Sequence, residues 1–247
     1  MAVPAPVAAD APAPPRWGLG DAAAGWVLAY VVGGIASIAI LAAAGYSMQD
    51  ATDDKVPLWI TSLASFPPLW LFFIGVPIWA AATKGNGWIR DFRVSIKGID
   101  VLVGMAAGAV AQWILVPLVS FPILWITGKS VDDLSKPAQD LADQAHGAPN
   151  VLALIFFVAI GAPLAEELFF RGLVLRAVEK RYTLVVAVVV SSIVFGATHL
   201  EPLQFAALTV AGAVFALVSV RAGRLGPAII AHMTFNGVSV ITLLASR

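Results

Sequence analysis

The amino-acid sequence predicts an all-α protein, a polytopic bundle of about seven transmembrane helices. Of its 247 residues, 60% are hydrophobic and only 12% are charged, which is too little charge to cover a soluble domain of this length. The apolar residues gather in seven runs, most of them close to the roughly 20 residues that a helix needs to cross about 30 Å of hydrocarbon. The connections between these runs alternate between basic and acidic, as expected of a multi-pass membrane protein.

The first 21 residues are predicted to form a disordered tail. Met1–Pro15 is rich in Ala and Pro and carries one Asp, a composition typical of disordered termini. It lacks the basic segment that begins a cleaved signal peptide. Arg16 and Trp17 are expected to anchor the chain at the membrane interface. Residues 22–247 are then predicted to form a single transmembrane domain.

Seven apolar segments follow, each bounded by charged or turn-forming residues. Pro67 and Pro68 predict a kink in the second segment. Pro117 and Pro122 interrupt the third, and a division there would give an eighth helix. The segments are Ala22–Gly45, Pro57–Ala82, Ile99–Thr127, a fourth from Val151 past Glu167, Thr183–His199, Pro202–Val220 and Gly226–Ala245.

Charge in the connections predicts the orientation. Eleven of the 15 Lys and Arg residues fall on one side of the predicted bundle. The positive-inside rule makes that side, and with it the N-terminus, cytoplasmic. The Ala/Pro-rich tail and compact chain are typical of a bacterial protein, so we expect an integral protein of the bacterial plasma membrane. In the longest connection, residues 128–150, Leu134, Leu141 and Ala145 have the spacing of a weak amphipathic helix, but a solvated loop is the favoured prediction.

Two adjacent carboxylates dominate the fourth segment. Glu166 and Glu167 follow fifteen residues without charge, and Arg171 follows four residues later. Ionisable groups at membrane depth mark a functional site by default. Glu167 and Arg171 share a helix face, so the arginine can neutralise that glutamate. Glu166 points roughly 100° away and becomes the candidate for a free base. Pro163 should bend the helix and help to admit water.

The other polar residues in the apolar segments include two of the three histidines. His199 ends the fifth segment, and His232 and Asn236 share one face of the seventh. A hairpin that turns near Tyr182 brings His199 to nearly the depth of Glu166. His232 lies only about 9 Å from the start of its segment. For the three to meet, the hairpin of the fourth and fifth segments must extend well beyond the membrane.

Other features have structural interpretations. Gln112 is expected to join helices by hydrogen bonding and Phe195 to serve packing, and Gly104 with Gly108 form a GxxxG pattern that at best marks close helix packing. The chain has no Cys, which excludes disulfides and thiolate metal sites. The net charge of zero gives no indication of a nucleic-acid partner.

Three motifs resemble those of a known family. Glu166-Glu167-Leu-Phe-Phe-Arg171, Phe195-Gly-Ala-Thr-His199 and His232-Met-Thr-Phe-Asn236 look like the EExxxR, FxxxH and HxxxN motifs of the CPBP intramembrane proteases. This family is also known as the CAAX prenyl protease type 2, Abi or lysostaphin-resistance-protein-A-like family. The resemblance covers roughly residues 151–244, the predicted catalytic core.

The resemblance implies an all-helical intramembrane endopeptidase, glutamate-dependent or metal-dependent. Carried over residue by residue, Glu166 would be the general base, supported by Glu167 and Arg171. His199 would hold the attacking water. His232 and Asn236 would stabilise the oxyanion.

Hydrolysis chemistry leaves the cofactor open. Peptide hydrolysis needs an activated water, a base and donors for the oxyanion, and this set of side chains offers all three without a metal. Glu166, His199 and His232 could also hold a Zn²⁺ ion with an open position for water. The sequence favours neither alternative, although the zincin motif HExxH is absent.

Three function classes remain in competition. The leading one is a protease acting on a membrane-associated or lipid-modified, CAAX-like substrate within the lipid bilayer. The second is a non-catalytic immunity or scaffold protein that keeps the polar cluster for folding or partner binding. The third is a proton-coupled transporter that uses the Glu and His residues as a relay. The sequence shows neither the natural substrate nor the oligomeric state.

Overall fold

The computed structural model describes residues 13–246, which contain helices and no β-strand. The predicted disordered tail falls mostly on residues 1–12, outside the described residues. The first helix begins at Leu19, three residues before the predicted start. The ten described helices are α1 (Leu19–Ala43), α2 (Met48–Thr52), α3 (Leu58–Lys84), α4 (Trp88–Asp91), α5 (Gly98–Thr127), α6 (Val131–Asp143), α7 (Gly147–Glu179), α8 (Leu184–Thr198), α9 (Phe205–Ala222) and α10 (Gly226–Ala245).

The helix inventory confirms the predicted polytopic bundle. Six of the described helices are long and apolar enough to cross a membrane, and α8 is a shorter apolar helix. The protein is therefore an integral, multi-pass membrane protein of about seven membrane helices. The alternative with an eighth helix is wrong, because α5 runs through Pro117 and Pro122 without a break. A π-helical turn at Ala111–Leu115 precedes Pro117 and accommodates a residue that has no amide hydrogen to donate.

Helix α7 is the centre of the bundle. Residues 167–178 are all buried, as expected of a helix that is apolar on every side. Helices α1, α3, α8, α9 and α10 pack around it. Two π-helical turns, Ile155–Gly161 and Leu168–Val174, flank the short α-helical stretch Ala162–Glu167. The distortion expected at Pro163 thus takes the form of a widened turn directly before it.

The basic end of α7 is enclosed by residues near the N-terminus. Lys180 Nζ donates to Trp17 O at 2.6 Å and lies 3.3 Å from the centre of the Trp17 ring. Trp17 Nε1 donates to Asp91 Oδ2 at 2.8 Å. Trp17 is only 3% exposed. The predicted interfacial anchor is therefore wrong for Trp17, whose ring packs inside the protein.

The connection after α5 is a helix, so the favoured prediction of a solvated loop is wrong. Ser130 begins α6 with a capping box, in which its hydroxyl accepts from Asp133 N and Asp133 Oδ2 accepts from Ser130 N. This arrangement satisfies two free donors at the start of the helix. Ala142 is buried in a small apolar cluster with Leu58 and Val240. Helix α6 consequently lies against the bundle rather than in solvent.

The GxxxG pattern on α5 contacts α10. A Cβ atom at Gly104 would lie 2.7 Å from Ile230 Cγ2, and one at Gly108 would lie 2.8 Å from Thr234 Cβ. Only glycine permits this approach. Close to the start of α10, Arg224 forms an ion pair with Asp100 of α5. These contacts fix α10, the helix that carries His232 and Asn236, against α5.

Candidate active site

A buried cluster of charged residues lies between α7 and α10. Arg171 Nη1 donates to Glu167 Oε1 at 2.7 Å, and both side chains are fully buried. His232 Nδ1 lies 2.9 Å from the same Glu167 oxygen. An ionised carboxylate can only accept hydrogen bonds, so His232 Nδ1 carries a proton and donates. Glu167 thereby fixes both the arginine and the histidine ring.

Glu166 lies at the edge of this cluster. Its Oε2 atom is 3.8 Å from His232 Nε2, too far for a hydrogen bond. Among the described residues this buried oxygen has no hydrogen-bond partner. A buried polar atom without a partner calls for an explanation, such as a water molecule or a catalytic role. The unpaired Glu166 that the sequence predicts therefore agrees with the geometry.

His199 is held in one tautomer by the backbone. Its Nδ1 atom lies 2.9 Å from Phe195 O, one turn earlier on α8. A carbonyl oxygen only accepts, so Nδ1 carries the proton and the Nε2 atom of the neutral ring has a free lone pair. His199 Nε2 can therefore accept a hydrogen bond from a water molecule.

Asn236 lies on α10, and a hydrogen bond to α7 across the cavity holds its side chain. Its Nδ2 atom donates to Val158 O of α7 at 2.9 Å. That carbonyl belongs to the π-helical turn Ile155–Gly161. The second hydrogen of the Asn236 amide remains for a ligand.

Glu166, His199 and Asn236 line one cavity of about 310 Å³. The wall is apolar apart from these residues and a few others, including Glu201 and Gln204. Part of the wall is formed by Pro137, Ala138, Leu141 and Ala142 of α6, so the helix mistaken for a loop borders the site. A second cavity of about 310 Å³ lies beside the first and shares Gln204, Leu208 and Phe235 with it.

Helix lengths are consistent with this meeting of α7 and α10. Thirteen residues separate Glu166 from Glu179 at the end of α7, about 20 Å of helix. His232 is about 9 Å from the start of α10. Because Glu166 and His232 are neighbours, α7 extends about 10 Å further than the start of α10. This offset is consistent with the expected hairpin, and its extension beyond the membrane stays a prediction.

The predicted site residues fall into two groups. Glu166, His199 and Asn236 face the cavity. Glu167, Arg171 and His232 are 0%, 0% and 3% exposed and lie behind it. His232 is not part of the cavity wall, and its Nε2 atom is directed towards Glu166. This placement differs from that expected of an oxyanion donor, because Glu167 holds the ring by Nδ1 on the buried side.

Several residues around the cluster carry no signal in the sequence. Arg171 Nη2 donates to Gly212 O of α9 at 2.8 Å, and its guanidinium lies 4.5 Å from the centre of the Phe195 ring. Phe215 stacks on His232 with 4.6 Å between ring centres. A Phe or Gly within an apolar helix does not show which polar group it will meet. The predicted packing role of Phe195 therefore includes a cation–π contact.

The donor set does not form a zinc site as it stands. Within residues 13–246 no group of three His, Cys, Asp or Glu side chains is placed to hold a metal ion. His199 Nε2 is free to act as a ligand, but His232 is not part of the wall of the cavity that His199 lines. Zinc accordingly stays a prediction.

Comparison with known proteins agrees with the motifs. Residues 148–238 match the family model described as type II CAAX prenyl endopeptidase Rce1-like. The Bacillus subtilis (strain 168) protein named "Putative membrane peptidase YdiL" is 28% identical over 110 residues, 44% of each chain. An Escherichia coli protein named "Uncharacterized 24.3 kDa protein" is 26% identical over 151 residues, 59% of this chain and 66% of its own length.

The aligned stretches thus span about half to two thirds of these relatives. No solved structure matches the chain significantly. The matched region contains all six predicted site residues, from Glu166 to Asn236. At the level of the family, the match indicates a membrane protease. Residues 148–238 of this multi-pass membrane protein are thus similar to the type II CAAX prenyl endopeptidase-like proteins, which supports the resemblance of its three motifs to the CPBP family.

Proposed function

We propose that the protein is an intramembrane endopeptidase that hydrolyses peptide bonds with a water molecule activated by Glu166. The observation that carries this proposal is the unpaired Oε2 atom of Glu166, at a cavity that also presents His199 and Asn236. Glu167 Oε2 is also without a partner, but only Glu166 lines the cavity, and a polar group that is costly to bury in hydrocarbon is better explained there by a role in the reaction than by a scaffold.

The proposed reaction begins with a water molecule between Glu166 and His199. The water donates one hydrogen bond to the lone pair of His199 Nε2 and its other proton to Glu166. Its oxygen attacks the carbonyl carbon of the substrate, and the free amide hydrogen of Asn236 stabilises the negative oxygen that forms. Glu166 then passes the proton to the leaving amine as the C–N bond breaks.

Three residues behind the cavity support Glu166. Arg171 balances the charge of Glu167, and Glu167 fixes the ring of His232. His232 Nε2, at 3.8 Å from Glu166 Oε2, places a polarisable nitrogen next to the base. This arrangement favours a role for His232 in the electrostatic environment of Glu166 over a direct contact with the substrate.

The substrate is proposed to be a membrane-associated or lipid-modified protein, CAAX-like in carrying an apolar chain near the cleaved bond. The two adjoining cavities, with their mainly apolar walls, support an apolar ligand. Glu166, His199 and Asn236 lie together in one of these cavities, and the cleaved peptide bond would have to lie beside them.

The decisive experiment compares Glu166→Gln with wild type on quenched fluorescent peptides, lipidated and unlipidated, in detergent. Glu166→Gln should lose at least about 100-fold in kcat, since general-base catalysis typically contributes 10²–10⁴-fold. The matched control is Glu179→Gln, the same change on the same helix, outside the site. Thermal unfolding of all three proteins establishes that each is folded.

Two results would contradict the proposal. One is full cleavage by folded Glu166→Gln. The other is an absence of cleavage by folded wild type across the whole panel, which would favour the scaffold alternative. Proton flux into liposomes that depends on Glu166 would instead favour the transporter. Addition of a zinc chelator to the wild-type assay tests the metal alternative, and the metal-free mechanism predicts unchanged cleavage.

A further inference from the structure

The end of α8 is held by a helix outside the matched region. Thr198 is the last residue of α8, directly before His199. The last carbonyl groups of a helix have no partner within it, and in hydrocarbon they must find one elsewhere. Tyr30 of α1 donates its hydroxyl to Thr198 O at 2.5 Å, and Trp26 Nε1 donates to Thr198 Oγ1 at 3.0 Å.

The two aromatic residues form a rigid pair. Trp26 and Tyr30 are one turn apart on α1, with 4.7 Å between ring centres. The Tyr30 ring packs edge-on against Phe73 of α3. Phe73 in turn stacks on Phe169 of α7, with 4.4 Å between ring centres. A chain of ring contacts that begins at the central helix α7 therefore holds the two donors to Thr198 in place.

Thr198 links these donors to His199. Its hydroxyl accepts from Trp26 and donates to Val194 O at 2.6 Å. After His199 the chain reverses at Leu200, whose φ of +57° is in the left-handed region, which is unfavourable for a residue with a Cβ atom. His199 thus lies between a backbone clamped by α1 and a strained turn.

Neither aromatic residue is among those that line the cavity, and neither lies within residues 148–238. We propose that Trp26 and Tyr30 are positioning residues, which hold Thr198 and thereby place the ring of His199 for the attacking water. This inference rests on the proposed peptidase function, because it assigns the two residues to that reaction. It also makes α1 part of the functional unit.

The physical reason is that catalysis depends more steeply on geometry than folding does. Loss of one hydrogen bond at the end of a short helix leaves the bundle packed. A misplacement of about 1 Å at the reacting groups can cost about 100-fold in rate. We therefore expect kcat to fall while KM and the unfolding temperature change little.

The experiment uses the side-chain pair, Trp26 and Thr198, in full-length protein. Trp26→Phe and Thr198→Val each remove the bond between Nε1 and Oγ1, and each should lower kcat about 10-fold to 100-fold with KM within about twofold. The double variant should be no slower than the slower single one, because both changes break the same bond. Thr198→Ser keeps the hydroxyl and should restore cleavage. Trp125→Phe, at a residue that is 80% exposed, is the control.

Tyr30→Phe is a separate arm. Its bond goes to a backbone oxygen, so no substitution of the Thr198 side chain removes the same bond. We expect a fall in kcat similar to that of Trp26→Phe. The interpretation of the cycle does not depend on this arm.

A spectroscopic measurement tests the inference without any substrate. Ring ¹⁵N signals of the three histidines report tautomer and hydrogen bonding, and His146 serves as an internal reference. Trp26→Phe and Thr198→Val should shift the His199 signals and leave those of His146 unchanged. An unchanged His199 signal in both variants would overturn the inference, whatever the activity.

The kinetic outcomes separate this inference from the function it rests on. Suppose that wild type cleaves, that Glu166→Gln does not, and that Trp26→Phe and Thr198→Val keep wild-type kcat. The positioning role is then wrong and the proposed peptidase function stands. If Glu166→Gln cleaves like wild type, the proposed function is wrong. Additive losses in Trp26→Phe and Thr198→Val would show that the two residues act separately and would also overturn the inference.

Discussion

Glu167 is the residue on which the buried cluster depends. One of its oxygens receives hydrogen bonds from both Arg171 and His232. Without this carboxylate, a fully buried guanidinium would lose its counter-ion. Removal of one partner of a buried ion pair typically costs about 3–5 kcal/mol of folding free energy. Glu167 therefore has a structural role distinct from the proposed chemistry of Glu166.

Glu167→Gln should lower the unfolding temperature in detergent markedly as well as reduce cleavage. The chain offers a matched control in Lys136 and Asp140, which have the same i,i+4 spacing with side chains 68% and 49% exposed. Asp140→Asn should leave the unfolding temperature almost unchanged, because exposed pairs contribute little. Equal changes in the two variants would contradict the structural role of Glu167.

At this scale, helical spacing carried much of the prediction. The i,i+4 relation of Glu167 and Arg171 indicated their ion pair. The nearly equal numbers of residues from Glu166 and from His199 to the turn of the hairpin indicated that the two share a depth. Spacing within one helix carries no information about the rotation of one helix against another. For that reason the contact of His232 with Glu167, and its place behind the cavity, became visible only in the structure. For the same reason, the roles of Trp26 and Tyr30 could not be predicted from the sequence, in which they look like ordinary aromatic residues of an apolar segment.

At the scale of elements, the contact of α5 with α10 sets the position of the site. Gly108 faces Ala231, directly before the site residue His232, and Thr234, two residues before the site residue Asn236. A larger residue at Gly108 would push α10 away from α5 and with it move both site residues. Overpacking of this kind typically costs about 1–3 kcal/mol.

Gly108→Val is accordingly expected to lower both the unfolding temperature and the rate of cleavage. Gly34→Ala is the control, since an added Cβ atom there meets nothing within 4 Å. It should be neutral or slightly stabilising, because Ala favours helix over Gly by about 1 kcal/mol. Wild-type stability and cleavage in Gly108→Val would show that the contact of α5 with α10 is looser than the structure indicates.

Sequence patterns predicted the long membrane helices but did not predict the polar helix α6. Apolar length alone identifies α1, α3 and α5, because the bilayer requires it. Helix α6 is too polar to qualify, and the weak stripe of Leu134, Leu141 and Ala145 was outweighed by its solvated loop composition. The capping box of Ser130 and Asp133 was the available signal that a helix begins there. The π-helical turns of α7 depend on packing and have no comparable signal.

At the scale of the whole molecule, the predicted orientation rests on the charges at the two ends of the bundle. The chain has no Cys, so single-cysteine variants need no altered background. Lys136→Cys on α6 should react with a membrane-impermeant maleimide in intact cells. Arg221→Cys in the last turn of α9 should react only after the cells are permeabilised. The reverse pattern would contradict the predicted cytoplasmic N-terminus and would place α6 inside.

The short length of α8 has a consequence for the surrounding lipid. Its 15 residues span about 22 Å, against a hydrocarbon thickness of about 30 Å. We expect this hydrophobic mismatch to thin the bilayer locally on the side where α8 ends, the side of His199. Water and a polar peptide therefore have a shorter path to the reacting groups than the full membrane thickness would impose. In bilayers of longer acyl chains the thinning becomes more costly, so the thickness of the host membrane should itself regulate the rate of cleavage.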